Sequence, residues 1–454
     1  MRNATAGAAK LATAPALEAR ISGKKLLAYF GGLFVFYGSL ACLIIYSVIM
    51  FVRKKLLDEL FRAFHIQRWN DRIRPMDFSE MDKHAHKMII AYCLGRYEEG
   101  RGRTVNWEEI IKCGVFELFR RIVISDIKSP IFRQVKKHSE VYKKLNEYVF
   151  LEMKERIDSP VILGELRDYL TSDFPDKSPE HTILEAAHIY ASFWEFQLIR
   201  HANPYSYQNI RIETELLNDI NKFIDLVGIR KLTARHTITN FVDLCGQLRF
   251  QLRWAQTPRV PKTSVLGHSM LVASIAYLFT RSIPHCPARI YNNFFGGLFH
   301  DLPEAVTRDI ISPVKQSSQE FDDLIKNLES ELADKEIFPH VEPEWIEEMK
   351  YFTHREFGNK IMSGGEPIYD NLDTDKITDK YNSDEFRPYD GALIRAADHL
   401  SAFLEAWHSC SSGIKSEDLV ISTRKIRREY EGHLIGGIDM DMIFQDYKEF
   451  PENQ

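Results

Sequence analysis

Residues 298–315 read LFHDLPEAVTRDIISPVK, and this stretch decides how the rest of the chain must fold. His300 and Asp301 stand side by side behind the apolar run 293–299, which is typical of a buried helix. An imidazole nitrogen and a carboxylate oxygen are both ligands for borderline divalent ions. Two ligands do not complete a metal site, so other segments must bring further ligands to the same point.

Two other apolar segments carry the missing ligands. GHSMLVASIAYLF, from Gly267, opens a helical pattern with His268 near its start. ALIRAADHLSAFLEAW, from Ala392, places Asp398 in an apolar pattern where an unpaired carboxylate would be costly. Two imidazoles and two carboxylates from three helices therefore predict a site for one divalent cation, with Mn, Co, Mg, Fe and Zn all open as its identity.

This order of ligands resembles that of a known family. His268, the pair His300-Asp301 and the distant Asp398 are similar to the H...HD...D signature of the HD-superfamily metal-dependent phosphohydrolases. The longer string HDxxE, followed by Thr307, Asp309 and Pro313-Val314-Lys315, resembles the HD-domain 5'-deoxynucleotidase branch.

The resemblance implies roles for four further residues. It implies that Glu304 and Asp309 are catalytic and handle the attacking water and the leaving oxygen. It also implies that Arg253 and Trp254, which resemble the Arg-Trp pair of that branch, bind the substrate's phosphate and sugar. One departure is that Leu266-Gly267 stand where the family commonly has Ser-Glu before the first ligand histidine.

The chain also contains an internal repeat, with four blocks in the same order in both halves. Arg68-Trp69 matches Arg253-Trp254, and HKMIIAY from position 86 matches HSMLVAS from position 268. LFRR with SDIKSPI matches LFHD with RDIISPV, and EAAHIYASFWEF matches RAADHLSAFLEA. The repeat predicts a first copy over residues 58–205 and a second, metal-binding copy over residues 213–438.

The first copy has lost the residues that would bind a metal. Arg120-Arg121 replace the His-Asp pair, and His188 replaces the last aspartate. Because a guanidinium cannot ligate a cation and repels it, we expect the first copy to be metal-free. Such a copy either shapes and regulates the second copy or only packs against it. An internal pseudo-dimer or a homo-oligomer is the corresponding expectation for assembly.

The composition of the chain limits which molecules it is expected to bind. A formal charge of -5 argues against binding a nucleic-acid polymer, which needs a clustered basic face, and favours a small nucleotide. Six cysteines without a CxxC spacing suit a reducing compartment.

The ends of the chain differ from its middle. Residues 1–25 are Ala-rich and basic and are expected to be disordered. Residues 26–52 contain no charge over 27 residues, long enough for a transmembrane helix. Residues 439–454 form an acidic tail, and the polar segment 363–391 is either a lid or a neutral insertion.

Together these patterns predict an all-α protein, with two tandem HD-type helical domains after an N-terminal transmembrane helix. The chain is predicted to be a single-pass membrane protein. Its catalytic domain is predicted to lie in the cytoplasm, because nucleotides are found there. The predicted activity is metal-dependent hydrolysis of nucleoside 5'-monophosphates, most simply deoxynucleotides, to nucleoside and phosphate. A phosphodiesterase or triphosphohydrolase on the same metal centre, and a non-catalytic nucleotide sensor, are the alternatives.

Overall fold

The structure is a computed structural model that describes residues 52–125, 127–172, 178–308 and 318–450. Helices make up most of these residues. They are α1 (Lys54–Phe61), α2 (Glu80–Gly100), α3 (Trp107–Ile124), α4 (Ser129–Lys137), α5 (Ser139–Lys154), α6 (Pro160–Thr171), α7 (Pro179–Ala202), α8 (Asn209–Asn221), α9 (Val227–Thr233), α10 (Ile238–Gln247), α11 (Val265–Arg281), α12 (Pro287–Phe299), α13 (Glu304–Thr307), α14 (Gln319–Leu332), α15 (Ile346–Thr353), α16 (Thr374–Lys380), α17 (Gly391–Ser411), α18 (Glu417–Glu429) and α19 (Met440–Gln445).

Strands occur only as three short antiparallel hairpins within the described ranges. They are β1 (Gln67–Arg68) with β2 (Phe78–Ser79), β3 (Ile361–Ser363) with β4 (Glu366–Ile368), and β5 (Leu434–Ile435) with β6 (Ile438–Asp439). Arg68 pairs with Phe78 in the first hairpin. The second strand of this hairpin ends at Ser79, directly before the start of α2.

The predicted transmembrane helix has to be corrected. Among the described residues, no helix is long and apolar enough to cross a membrane. The longest ones, α2, α7 and α17, are interrupted by charged side chains, which are costly in hydrocarbon. This finding overturns both the transmembrane part of the predicted fold class and the predicted single-pass membrane localisation. Residues 1–51, with all of the predicted span except Val52, lie outside the described residues, as does the end of the acidic tail at residues 451–454.

Serine caps fix where the two central helices begin. The Ser79 side chain accepts a hydrogen bond from the Asp82 backbone N–H at the start of α2. The Ser264 side chain accepts one from the Gly267 backbone N–H at the start of α11. A capping serine satisfies a backbone donor that the helix itself leaves unpaired. Both helices therefore start at a defined residue, which sets the register of the ligand positions that follow.

The two copies share one hydrophobic core. The Tyr92 ring of α2 lies 5.1 Å from Phe295 of α12, and Trp107 of α3 lies 5.3 Å from Tyr291 of α12, between ring centroids. The hydroxyls of Tyr92 and Tyr291 both donate to Glu348 Oε2, at 2.7 and 2.9 Å. The described residues accordingly belong to one compact unit. The domain boundaries near residues 205 and 213 stay a prediction.

The polar segment 363–391 is ordered and contacts α12 at several points along its length. It contains part of the β3–β4 hairpin, with Gly364 and Gly365 at positive φ in the turn, and helix α16. The Asp384 side chain accepts a hydrogen bond from the backbone N–H of residue 288 at the start of α12. Farther along this helix, Tyr389 packs against Gly296, about one turn before the first residue of the His-Asp pair. These contacts favour a packed insertion over a lid.

Candidate metal centre

Three helices bring the predicted metal ligands to one place. His268 lies in the first turn of α11, His300 caps the C-terminal end of α12 and Asp301 follows it, and Asp398 lies in the second turn of α17. Helix α11 packs against both α12 and α17. The three elements therefore converge at the ligand positions.

The separations of the ligand atoms suit a single cation. His268 Nε2 lies 2.9 Å from Asp398 Oδ1 and 3.7 Å from Asp301 Oδ2, and His300 Nε2 lies 3.2 Å from Asp301 Oδ2. Each of the residues His268, His300 and Asp398 offers one ligand atom, and these three atoms lie within 4.8 Å of one another. Atoms that are each about 2.1 Å from one ion are about 3 to 4 Å apart, which is the range seen here.

Unsatisfied polar atoms provide an independent test of whether a cation fits. His268 Nε2, His300 Nε2 and Asp301 Oδ2 are buried and have no hydrogen-bond partner among the described residues. Buried polar atoms without a partner are rare in folded proteins. A divalent cation between these three atoms would satisfy all of them, so the residues fit the group that the sequence predicts.

Both imidazoles are held so that Nε2 faces the site. His300 Nδ1 lies 2.8 Å from the Gly297 carbonyl oxygen, which can only accept a hydrogen bond. The Nδ1 atom therefore carries a proton, and Nε2 is the nitrogen that a cation would bind after displacing any proton on it. His268 Nδ1 lies 2.9 Å from Ser401 Oγ and 3.7 Å from Glu405 Oε1. These contacts orient the rings in the way that metal-binding histidines require.

Opposite charges within the candidate site shift the pKa values of His300, Asp301 and Asp398. Burial alone would lower the pKa of the His300 imidazole, but the nearby carboxylates of Asp301 and Asp398 raise it to about 9. Burial would raise the pKa of Asp398, but the His268 and His300 imidazoles bring it down to about 2. The pKa of Asp301 is lowered in the same way by His300. The carboxylates are thus kept ionised in a buried place, as metal ligands must be.

Arg253 and Trp254, the predicted substrate residues, stand beside the ligands. Arg253 Nη1 lies 3.6 Å from Asp301 Oδ2, and Arg253 Nε donates to Glu405 Oε2 at 3.3 Å. Trp254 Nε1 donates to the same Glu405 oxygen at 2.7 Å. Trp254 has a φ of 57°, which is strained for a bulky side chain, and the indole hydrogen bond helps to hold it there.

Glu405 is the important residue that the sequence interpretation missed. It is fully buried and also accepts a hydrogen bond from the Thr263 hydroxyl at 2.8 Å. Despite its burial, the arginines Arg253 and Arg259 keep its pKa well below the usual range. A signal for it existed, because Glu405 lies seven residues after Asp398, two helical turns along the same face.

Of the two predicted catalytic residues, the structure describes Glu304 but not Asp309. Glu304 is buried at the start of α13, directly after Pro303, where the sequence predicts that a helix restarts. The Gln251 side chain donates to the Glu304 carbonyl oxygen at 2.9 Å, which joins this turn to the segment that carries Arg253. Asp309 lies outside the described residues, so its role stays a prediction.

The structure explains the glycine ahead of the first ligand histidine. A Cβ atom on Gly267 would lie 2.6 Å from the Phe64 ring and 2.8 Å from Asp82 Oδ1. Both residues belong to the first copy. A larger residue at position 267 would collide with them, so the departure from the family pattern coincides with close contact between the copies.

The first copy repeats this architecture without its ligands. Trp69 has a φ of 54° and its Nε1 donates to Glu195 Oε2 at 2.8 Å, as Trp254 does to Glu405. Arg68 Nη2 lies 2.9 Å from the same Glu195 oxygen. The repeat predicted from the sequence is therefore present in side-chain contacts as well as in order.

One pairing within the repeat is shifted by a helical turn. Lys83 follows the capping Ser79 by four residues, as His268 follows Ser264. Lys83 Nζ also contacts His188 Nδ1, where His268 contacts Asp398. Lys83 is thus the counterpart of the first ligand, and the sequence pairing of position 86 with His268 is three residues out of register.

Charged pairs replace the metal in the first copy. Lys87 contacts Glu117, and His188 Nδ1 lies 3.1 Å from Glu117 Oε1. Burial lowers the pKa of Lys83 to about 7 and that of His188 to about 3. The absence of a metal from the first copy stays a prediction.

The fold and the candidate site together describe a helical protein in which histidines and aspartates on neighbouring helices could hold a metal ion. Residues 245–427 match the family model described as HD domain. This part of the chain is therefore similar to HD domains.

A solved structure also resembles part of the chain. It is an HD-domain phosphohydrolase from Listeria innocua, 19% identical, with a TM-score of 0.35; the match covers 39% of this chain and 83% of that one. No curated protein matches the chain.

Proposed function

We propose that the second copy is a divalent-metal-dependent phosphohydrolase that acts on nucleoside 5'-monophosphates, with deoxynucleotides as the first substrates to test. The match to the HD domain supports phosphohydrolase activity in general. The observation that carries the proposal is the convergence of His268, His300, Asp301 and Asp398, with three buried ligand atoms that lack hydrogen-bond partners among the described residues.

The chain's own residues supply binding and proton transfer in this proposal. A divalent cation, when bound, supplies Lewis acidity toward the phosphate oxygens and the attacking water. Arg253, at the edge of the ligand set, forks onto a phosphate oxygen pair and neutralises its charge. Trp254 forms a wall for the sugar. Its indole and the Arg253 guanidinium are both oriented by Glu405.

Glu304 is the proposed proton acceptor for the attacking water. It follows Asp301 by three residues, and its side chain is buried at a helix start, where a carboxylate is favoured. Asp309 is the proposed partner that protonates the leaving oxygen. Phosphate monoesters hydrolyse very slowly without such help, so both roles have large rate effects.

The experiment is a screen of purified chain with Mn²⁺ or Co²⁺ against nucleoside mono-, di- and triphosphates. We expect phosphate release from at least one monophosphate, and loss of both activity and bound metal in His300→Ala. The matched control is His188→Ala in the first copy, which we expect to keep its metal. Release of pyrophosphate or tripolyphosphate would favour another phosphoester substrate. Absence of turnover with every nucleotide, or full metal content in His300→Ala, would refute the proposal.

A further inference from the structure

A large cavity lies in the first copy, over the residues that replace the metal ligands. Its volume is about 900 Å³. Arg120, Arg121 and His188, the counterparts of His300, Asp301 and Asp398, all line it. Sites for small molecules typically measure about 300 to 1,000 Å³, so the cavity is large enough for an organic ligand.

The lining of this cavity is strongly basic. Nine arginines and lysines contribute to it against five aspartates and glutamates among the described residues. The whole chain carries a formal charge of -5, so this concentration of positive charge is local. A concave surface with an excess of one sign of charge attracts ligands of the opposite sign.

Arg120 is the residue that most clearly lacks a counter-charge. Its side chain is buried, and Nη1 donates to the Tyr142 hydroxyl at 3.0 Å. Its Nε atom is buried without a hydrogen-bond partner, and no carboxylate of the described residues lies within ion-pair distance of it. A guanidinium has five N–H donors, so most of this one's capacity is unused by the described part of the protein. A buried charge of this kind is stable only with a partner.

Other cationic side chains face the same cavity. Arg121 Nη2 lies 3.4 Å from Glu80 Oε2, but its Nε atom is also buried without a partner in the described ranges. Arg72 donates to the Gln208 side chain and forms no ion pair with a described carboxylate. Lys136 is exposed at the rim, with Nζ 5.2 Å from the Phe132 ring centroid.

Aromatic rings complete the lining. Trp69, Phe132, Tyr142 and Tyr169 all border the cavity. The Arg120 guanidinium carbon lies 5.4 Å from the Tyr169 ring centroid and 5.8 Å from that of Phe132. Arginines with unused donors beside aromatic faces suit a ligand that has both a phosphate and a flat or apolar organic part.

We propose that this cavity, formed by the first copy, is a metal-independent binding site for a phosphorylated small molecule of nucleotide size. Arg120 and Arg121 contact the phosphate in the place where the second copy holds its cation, and Arg72 and Lys136 add charge at the rim. The aromatic residues contact the organic part. The inference stands apart from hydrolysis in the second copy, because it requires neither the metal nor turnover.

The test uses the full-length chain in excess EDTA, titrated calorimetrically with inorganic phosphate, dAMP and dATP in separate experiments. EDTA removes the cation that binding to the second copy would need. We expect at least one nucleotide to bind saturably, more tightly than inorganic phosphate, and more weakly as salt is added. Failure of all three probes to bind in EDTA would overturn the proposal.

Matched variants assign the binding to one copy. Arg120→Gln should weaken binding in EDTA at least ten-fold, whereas His300→Gln, at the corresponding position of the second copy, should leave it unchanged. The reverse pattern, or equal binding by the natural chain and Arg120→Gln, would contradict the assignment. Because Arg120 is buried, the double variant Arg72→Gln/Lys136→Gln provides a second test at less buried positions. We expect it to unfold like the natural chain and to bind at least three-fold more weakly, and unchanged binding would count against the site.

Discussion

The Asp82 carboxylate of the first copy accepts a hydrogen bond from the Ser264 hydroxyl, the cap of the helix that carries His268. The other Asp82 oxygen accepts a hydrogen bond from the hydroxyl of Ser79, which caps its own helix, at 2.6 Å. One buried side chain therefore joins the starts of α2 and α11. The first copy thereby contacts the helix of the first predicted metal ligand.

Replacing Asp82 should weaken both the fold and the metal site. Asp82→Ala leaves two buried serine hydroxyls without their acceptor, each worth about 1 to 3 kcal/mol. We expect the free energy of unfolding in urea to fall by about 2 to 6 kcal/mol and Co²⁺ affinity to decrease. Asp77→Ala is the control, because its ion pair with Arg74 is largely exposed. Similar losses of unfolding free energy and Co²⁺ affinity in both variants would show that the hydrogen bonds of Asp82 do not stabilise the fold or the metal site.

Glu405 should control the metal affinity, while its counterpart Glu195 should not. Both carboxylates orient an Arg-Trp pair, but only Glu405 lies near a ligand histidine, 3.7 Å from His268 Nδ1. Residues that support a metal ligand typically change affinity 10- to 100-fold when replaced. We expect Glu405→Gln to weaken Co²⁺ binding in that range, measured by competition with a chelator, and Glu195→Gln to leave it unchanged. Equal Co²⁺ affinities in the two variants would show that Glu405 does not position the ligand His268.

The chain should bind one divalent cation rather than two. Among the described residues, only those of the second copy converge as ligands, since Lys83, Arg120 and Arg121 replace three of them in the first. Elemental analysis after dialysis should give about one equivalent per chain, falling to near zero in Asp398→Ala. A second tight equivalent that survives this substitution would contradict the metal-free assignment. Treatment with EDTA should abolish any phosphohydrolase activity and readdition of Mn²⁺ should restore it.

The ion pair between Arg289 and Asp390 should be the strongest single link between α12 and α17. Both side chains are fully buried, and Arg289 donates to both Asp390 oxygens, at 2.7 and 2.8 Å. Removing one partner of a buried pair costs about 3 to 5 kcal/mol. We expect Asp390→Ala to lower the free energy of unfolding by that amount in urea denaturation. The double variant Arg289→Met/Asp390→Leu should recover part of the loss, and no recovery would argue against an uncompensated charge as the cause.

Stability should rise with pH because of Lys83. Its burial lowers the pKa from 10.5 to about 7 in the folded chain. Between these values the unfolded chain binds more protons, so the free energy of unfolding increases with pH, by at most about 1.4 kcal/mol per pH unit. We expect Lys83→Met to show a smaller increase from pH 7 to pH 9.5 in urea denaturation. The exposed Lys154→Met should keep the original slope, and identical slopes in all three proteins would contradict the prediction.

Local patterns in the sequence predicted the helical character of the described chain and the candidate ligands. His268, His300 and Asp398 each stand in an apolar helical pattern, and burial of a ligand side chain in such a pattern is recognisable without a structure. The repeat was also readable, because two copies that fold alike keep the same order of side chains. The transmembrane helix was the prediction that failed, since length and lack of charge were its only support.

Only the tertiary structure decided which residues face one another. Glu405 and Asp82 act across distances of 151 and 182 residues along the chain, to Trp254 and Ser264, and no local pattern records such contacts. The register of Lys83 against His268 depended on where the serine caps start each helix. The cavity of the first copy likewise depends on tertiary packing, which brings Arg120, Arg121 and His188 to one lining. Local sequence fixes which face of a helix is apolar, whereas packing between helices fixes which polar groups meet inside the protein.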